Sequence, residues 1–462
     1  MQYQDGREVS FTASSANTLD DYESVLDSLL GTYGDPEAGI NDLLTKDKEF
    51  VIGHCFNAYL NLLAFDRTLM PAVANISGAL GSLSSAANAH ELEHIAAIKK
   101  WHSGDLHAAV RHWENALLIN PRDLLAMRLC HDLAFFLGDV RNLRDTVGRV
   151  RREWSPDMPG YGYLLGMHAF GLEEFGDYKR AEETGREALD INPKDSWAVH
   201  AVAHVMEMTG RQADGINWLE SREDNWAYEG NFFAIHNWWH LALYYLDLGR
   251  YDQVLALYDG PIRSDKSNAA LDLVDAASLL WRMQLLGQDP GRERWQEVAD
   301  SWMTYADHGI YAFNDLHLMM ALAATEQFDK ADQLIKSMEL LANGQQSTHK
   351  LSLNSIGLPA CRGFLAFAQG RYAEAVNHLL PVRNSGFNFG GSHAQRDIMT
   401  VTVIEALLRD GQHRLARTLL NERLESKPTS PQNWHMLSRA YSGLDESTRA
   451  QEAEQTANRL AS

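Results

Sequence analysis

Apolar residues along this chain recur at intervals of three and four, the period of an amphipathic helix, and the phase resets at glycines. Leu19, Tyr22, Val25, Leu26, Leu29 and Leu30 predict a helix over Leu19–Leu30, ended by Gly31 and Gly34. A shorter helix is expected over Ala38–Leu44, and the run Phe50–Phe65 predicts a strongly apolar one carrying His54. The small-residue run Ile76–Ala89 predicts either a loop or a close-packed helix.

From Glu91 onward the pattern repeats. Helices over Glu91–Trp101 and Ala108–Ile119 flank the turn Ser103-Gly104-Asp105, and Asn120-Pro121 closes the pair. A small-residue turn, a paired alanine and a closing Asn-Pro form the tetratricopeptide pattern. It is clearest in FGLEEFGDYKRAEETGREALDINPKD, with Gly176, Tyr178, Ala181, Ala188 and Pro193. The turn glycine recurs at Gly104, Gly138, Gly176, Gly210, Gly249, Gly287, Gly370 and Gly411, with a degenerate turn expected at Gln327. The first five intervals are 34, 38, 34, 39 and 38 residues, several of them longer than the usual 34. Helix pairs of this kind cannot bury their apolar faces alone, so they stack. The fold expected is all-α: a tetratricopeptide-like α-solenoid, a superhelix of antiparallel helix pairs with no strand. Residues 1–89 form an irregular helical section. Residues 90–462 form the repeat superhelix, capped by a polar pair over Trp434–Leu460, the whole being one continuous domain.

Composition narrows the function classes. With 62 acidic against 41 basic residues the formal net charge is −21. A surface so acidic is expected to repel nucleic acid and anionic membrane, to favour cationic partners or simply to aid solubility. Cys55, Cys130 and Cys361 fit no disulfide framework and no cysteine-based zinc motif. No stretch is long and apolar enough for a membrane span, and the N-terminus lacks the layout of a signal peptide. These features predict a soluble protein of a reducing compartment, the cytoplasm.

The candidate chemistry lies between residues 200 and 240. His200/His204 and His236/His240 are two His-x-x-x-His pairs in consecutive repeats, and Glu207 follows the first. Residues four apart share a helix face, so each pair aims two imidazoles one way. Counted back from its turn residue, His200 occupies position ten, as does His94, and His317 joins them if Gln327 marks its turn. In tetratricopeptide domains that clamp a peptide carboxylate, such first-helix positions line the groove, though with Lys, Asn and Arg. The histidines are therefore expected on the concave face. Asp275 and Asp315 share the register.

Neutral imidazoles with one or two carboxylates are ligands for zinc or iron. On that reading His200, His204, His236, His240 and His317 bind a divalent metal. Glu207 resembles a base or a further ligand, although HExxH is absent. Without metal, His200 or His240 would be a general base, with Asp275 or Asp315 as its orienter. The stretch GGSHAQRD adds a capping box, Ser392 with Gln395, at a helix N-terminus behind paired glycines. Ser392, His393, Arg396 and Asp397 are there the candidate ligand-binding residues, Arg396 for a carboxylate or phosphate. Trp239 is a candidate pocket wall.

Plainer readings stand beside each of these. A His-x-x-x-His pair is more often structural, Trp238 and Trp239 fit core packing, and GGSHAQRD fits an ordinary cap. Asp275, Arg282, Asp315 and Arg396 fit buried ion pairs that fix the superhelix. His54, His90, His131 and His168 show no partner in the sequence.

The segments HAVAHVMEMTGR, GINWLE, HNWWHLALYYLDLGRYDQVLALYD, SLLWRMQLLG, FNDLHLMMAL and GGSHAQRD together resemble the tetratricopeptide repeat protein 38 family. The resemblance runs from roughly Phe50 to Trp434. It implies a closed or tightly wound helical-repeat fold and assigns no reaction. The functional expectation is a small polar ligand or substrate held in a His/Asp-rich centre. Acid–base or metal-assisted hydrolysis of a small amide, ester or amino-acid-like compound would follow. The alternative is a protein-interaction scaffold that binds a peptide in its groove.

Overall fold

The structure, a computed structural model, describes residues 1–305, 311–344 and 347–462. Helices supply almost all of its regular structure. The chain is an all-α, tetratricopeptide-like repeat protein. It divides into two compact units, Met1–Val202 with Asp224–Ala234 and Gln346–His349, and Ala203–Glu223 with Ile235–Gln345 and Lys350–Ser462. The chain passes from the first unit to the second inside the helix Ser196–Met208.

The repeat turns follow from backbone sterics. All eight predicted turn glycines have φ between +65° and +88°, where a Cβ would crowd the following carbonyl. The degenerate turn differs by one residue from the expectation. Glu326, not Gln327, occupies the glycine position, with φ +60°. Asp445 does the same before the last helix. Helix starts are set by side chains: Asp35, Asp105, Asp123 and Asp139 each accept the backbone N–H three residues on.

In the first unit the predicted N-terminal helices are Asn17–Leu30, Pro36–Lys46 and Val51–Leu63. The small-residue run falls mostly in a helix, Met70–Leu83. The expectation of no strand is corrected. Gln2–Gln4 and Ser10–Thr12 pair as an antiparallel hairpin, with Tyr3 opposite Phe11. The hairpin was invisible to a search for helical period because each strand has only three residues. Glu91 fixes it: one carboxylate takes the N–H and the hydroxyl of Thr12, both at 2.7 Å, and completes a capping box with Asn88.

The second unit has one continuous apolar core, from Trp239 on the helix Ala234–Asp247 to Ala440 on the helix Pro431–Ser442. Its chain closes on itself. The segment after the helix His413–Ser426 returns to the turns at Gly210 and Gly249. Lys427 pairs with Glu207 at 2.8 Å, and the Thr429 hydroxyl donates to the Gly210 carbonyl. Ser430 Oγ donates to Asp247 at 2.6 Å. Inside, the helix His393–Arg409 packs on the helix Ala270–Leu285, where Trp281 Nε1 donates to Thr402 Oγ1 at 3.1 Å. The polar cap expected over Trp434–Leu460 forms as the helices Pro431–Ser442 and Ser447–Ala461.

Candidate metal centre

His204 lies on the last turns of the helix Ser196–Met208, His236 and His240 on the helix Ala234–Asp247. All three belong to the second unit and are 0–4% exposed. Each offers a ring nitrogen within 4.8 Å of those of the others. The His240 ring centroid is 4.5 Å from that of His204 and 4.9 Å from that of His236. Helical spacing explains the meeting: four residues bring His236 and His240 to one face, turned toward His204. His200 precedes His204 by one turn and shares its helix face. Its ring also packs against Phe170, Trp197 and Phe233, at 5.3, 5.1 and 5.1 Å.

Behind His236 stands Asp275, fully buried on the helix Ala270–Leu285. Its Oδ2 lies 2.7 Å from His236 Nδ1. Burial raises the Asp275 carboxyl, and His236 opposes that rise. Burial also pushes His240 well below the ordinary imidazole value, helped by His204, His236, Arg282 and Lys427. A neutral imidazole is the form that coordinates a metal. Trp239 lies stacked on His236, with centroids 5.3 Å apart, and donates Nε1 to Ser278 Oγ at 3.1 Å.

Other expected site residues lie elsewhere. His317 stays outside the imidazole group; its Nδ1 is 2.7 Å from the Phe313 carbonyl, and burial lowers it to about 3. With the turn at Glu326, His317 lies nine residues before it, not ten. Asp315 is buried on the helix Ala312–Ala324, outside the group; burial raises the Cys361 thiol, and the charge of Asp315 adds to that rise. Glu207 forms an ion pair with Lys427 at 2.8 Å. Asp275 orients His236, where His200 or His240 was expected.

In the GGSHAQRD stretch the capping box forms as read. Ser392 Oγ accepts the Gln395 N–H at 3.2 Å, and Gln395 Oε1 accepts the Ser392 N–H at 2.9 Å. Two donors of an anion site are thereby spent. Arg396 donates to the Gly391 carbonyl, and Asp397 forms a two-bonded ion pair with Arg423. His393, half-buried, opens the helix.

A cavity of about 70 Å³ lies in the same unit, lined among others by Glu207, Asp247, Arg282, Asp397, Arg423 and Lys427. The sequence reading missed Asp247, Arg423 and Lys427. Asp247 ends one helix, while Arg423 and Lys427 lie at the end of another far along the chain, and only the closure of the unit assembles them. It missed Asp123 as well. In the first unit this carboxylate lies 2.9 Å from His94 Nε2 and 3.8 Å from His90 Nε2, while capping the helix Leu124–Phe136.

These features define the class: a tetratricopeptide-like helical-repeat protein with a buried histidine group in its second unit. No family model matches the chain. Among solved structures it is similar to the human IFIT1 dimer with m7Gppp-AAAA at 15% identity and a TM-score of 0.42, covering 98% of this chain and 96% of that one. The human IFIT1 dimer with PPP-AAAA matches at 14% identity and a TM-score of 0.39, with the same coverage. The expectation that excluded nucleic acid is corrected by these neighbours, which were solved with oligonucleotides. The physical reason is that net charge does not describe a local site. No helix among the described residues is long and apolar enough to cross a membrane.

Proposed function

We propose that the second unit holds one divalent transition-metal ion, zinc first and iron second, on His204, His236 and His240. The observation that carries this is three buried imidazole nitrogens within 4.8 Å of one another, one ring held from behind by a carboxylate. Zinc–nitrogen bonds of about 2.1 Å place tetrahedral ligand atoms roughly 3.4 Å apart, so modest side-chain rotation suffices. The carboxylate–histidine arrangement is the usual outer support of a metal ligand. His200 stays in the proposal as the helix-face neighbour of His204.

The ion's role is to hold a repeat protein together. Hydrolysis of an amide or ester at these rings needs room for substrate, yet the rings are almost fully buried. The neighbouring 70 Å³ has the volume of about two waters. The family affiliation with tetratricopeptide repeat protein 38 belongs to the same proposal and rests on the sequence segments quoted above.

The test is elemental mass spectrometry on protein purified without a metal-affinity step. About one zinc or iron per chain, lost in the double variant His236→Ala/His240→Ala, is expected. No metal as purified and no stoichiometric uptake on adding zinc would remove the proposal.

A second reading, an interaction scaffold, is favoured by an open groove of about 800 Å³ in the first unit. Leu117, Leu118 and Val150 give it apolar surface beside Arg111 and Arg149, and Leu118 is 82% exposed. A photo-crosslinker placed at Leu118 tests it. One dominant crosslinked protein supports a scaffold, and none counts against it.

A further inference from the structure

Arg282 is buried, and every hydrogen bond it makes goes to a main-chain oxygen. It donates to the carbonyls of Ser278 at 3.2 Å, Ala394 at 2.7 Å and Gln395 at 3.4 Å. No carboxylate touches it among the described residues. Its neighbours round the cavity are already matched. Arg423 is paired with Asp397, Lys427 with Glu207, and Asp247 accepts from Ser430 and Gln212. Arg282 is therefore the one cation of this cavity without a countercharge in contact.

A buried cation in that state is costly unless a partner reaches it. Burial accordingly lowers the guanidinium to about 10, against the opposing pull of Asp397 and Glu207. The face of Trp239, 5.4 Å away, helps to hold the charge but supplies no anion. A guanidinium has five N–H donors in a fork, and the three carbonyls take at most three. Nη2 serves Ala394 and Gln395 and Nη1 serves Ser278, so Nε–H and the second Nη1–H remain, each able to donate to one oxygen of a carboxylate or tetrahedral oxyanion.

The geometry points to a binding site for one small oxyanion in this cavity, held by Arg282. A volume of about 70 Å³ suits an ion the size of acetate or sulfate. A free carboxylate and a sulfate-like group share the chemistry this site recognises, and the two are separable by experiment. This inference goes beyond the metal proposal and stands whether or not the imidazoles hold an ion.

The test is isothermal titration calorimetry of the full chain with sodium acetate and with sodium sulfate, at ionic strength fixed by sodium chloride. It is run on chelator-treated and on zinc-loaded protein, so that failure of the metal centre is seen separately. Saturable binding of about one ion per chain is expected, weakened at least tenfold in Arg282→Gln and less in Arg282→Lys. Binding of acetate alone identifies a carboxylate site; binding of both identifies a general oxyanion site. No saturable heat from either salt, or equal binding by Arg282→Gln, overturns the inference. If Arg282→Gln does not fold, wild-type crystals soaked in selenate decide. A selenium peak beside Arg282 supports the site. Peaks only elsewhere mean an adventitious ion only, and overturn it.

Discussion

Asp275 Oδ2 lies 2.7 Å from His236 Nδ1, with both side chains buried, so that the carboxylate holds His236 by that nitrogen. A carboxylate acceptor selects the tautomer with the proton on Nδ1 and leaves the Nε2 lone pair for a ligand bond. Asp275→Asn puts an amide in that place. Zinc affinity, measured by chelator competition, is expected to fall by about 10–100-fold with the fold unchanged. Wild-type affinity in Asp275→Asn would detach Asp275 from the centre.

Asp195 is fully buried in the first unit, where Oδ1 accepts the Ala198 N–H at 3.0 Å as a helix N-cap. Oδ2 finds no hydrogen-bond partner among the described residues. Burial lifts this carboxyl from 3.8 to about 7. The folded state therefore keeps a proton that the unfolded state has lost. Stability falls as pH rises between about 4 and about 7, by a few kcal/mol at most. Asn caps a helix as well as Asp does. Asp195→Asn should accordingly match wild type near pH 4 and exceed it at pH 8 in chemical denaturation. A constant difference across that range would show that Asp195 titrates normally.

The turns allow a paired experiment on backbone conformation. Gly176 has φ +88°, and nothing lies within 4 Å of where its Cβ would be. Gly176→Ala therefore isolates the conformational cost, about 1 kcal/mol. Glu326 carries the opposite mismatch, a side chain at φ +60°. Glu326→Gly is expected to raise stability, by up to about 1 kcal/mol. Loss of stability in Glu326→Gly would mean that its side chain outweighs the backbone strain.

Lys427 and Glu207 form an ion pair with side chains only 9% and 14% exposed. Lys427→Met leaves a carboxylate buried without its partner and should cost about 3–5 kcal/mol. Adding Glu207→Gln removes that charge and should recover most of the loss. Urea denaturation of the two variants separates this from simple loss of packing, in which the double variant would remain as weak as the single.

The helical architecture was legible because its signals are local. Apolar spacing, small turn residues and Asn-Pro closures are written within each repeat, and the eight glycines fell at the turns. The register at Glu326 was not legible, because a charged residue there contradicts the glycine rule and only the backbone angle reveals it. The approach of His204, His236 and His240 followed from helix spacing and repeat adjacency. Asp275 was read as an orienter, though of another ring, since the choice depends on how two repeats are offset. His317 and Asp315 shared the apparent register but not the site. The cavity round Arg282 had no sequence signature, because its parts come together only when the end of the second unit meets its beginning.

That meeting sets a rule for how such a chain changes over generations. An open array of repeats can gain or lose a unit by duplication or deletion, with each new end capped as before. In the second unit Ser430 must reach Asp247, and Thr429 must reach Gly210, across 183 and 219 positions of chain. Inserting or removing one helix pair would turn these partners away from each other. The number of repeats in this part of the protein is therefore fixed by closure, and its variation is confined to substitutions and to the lengths of loops.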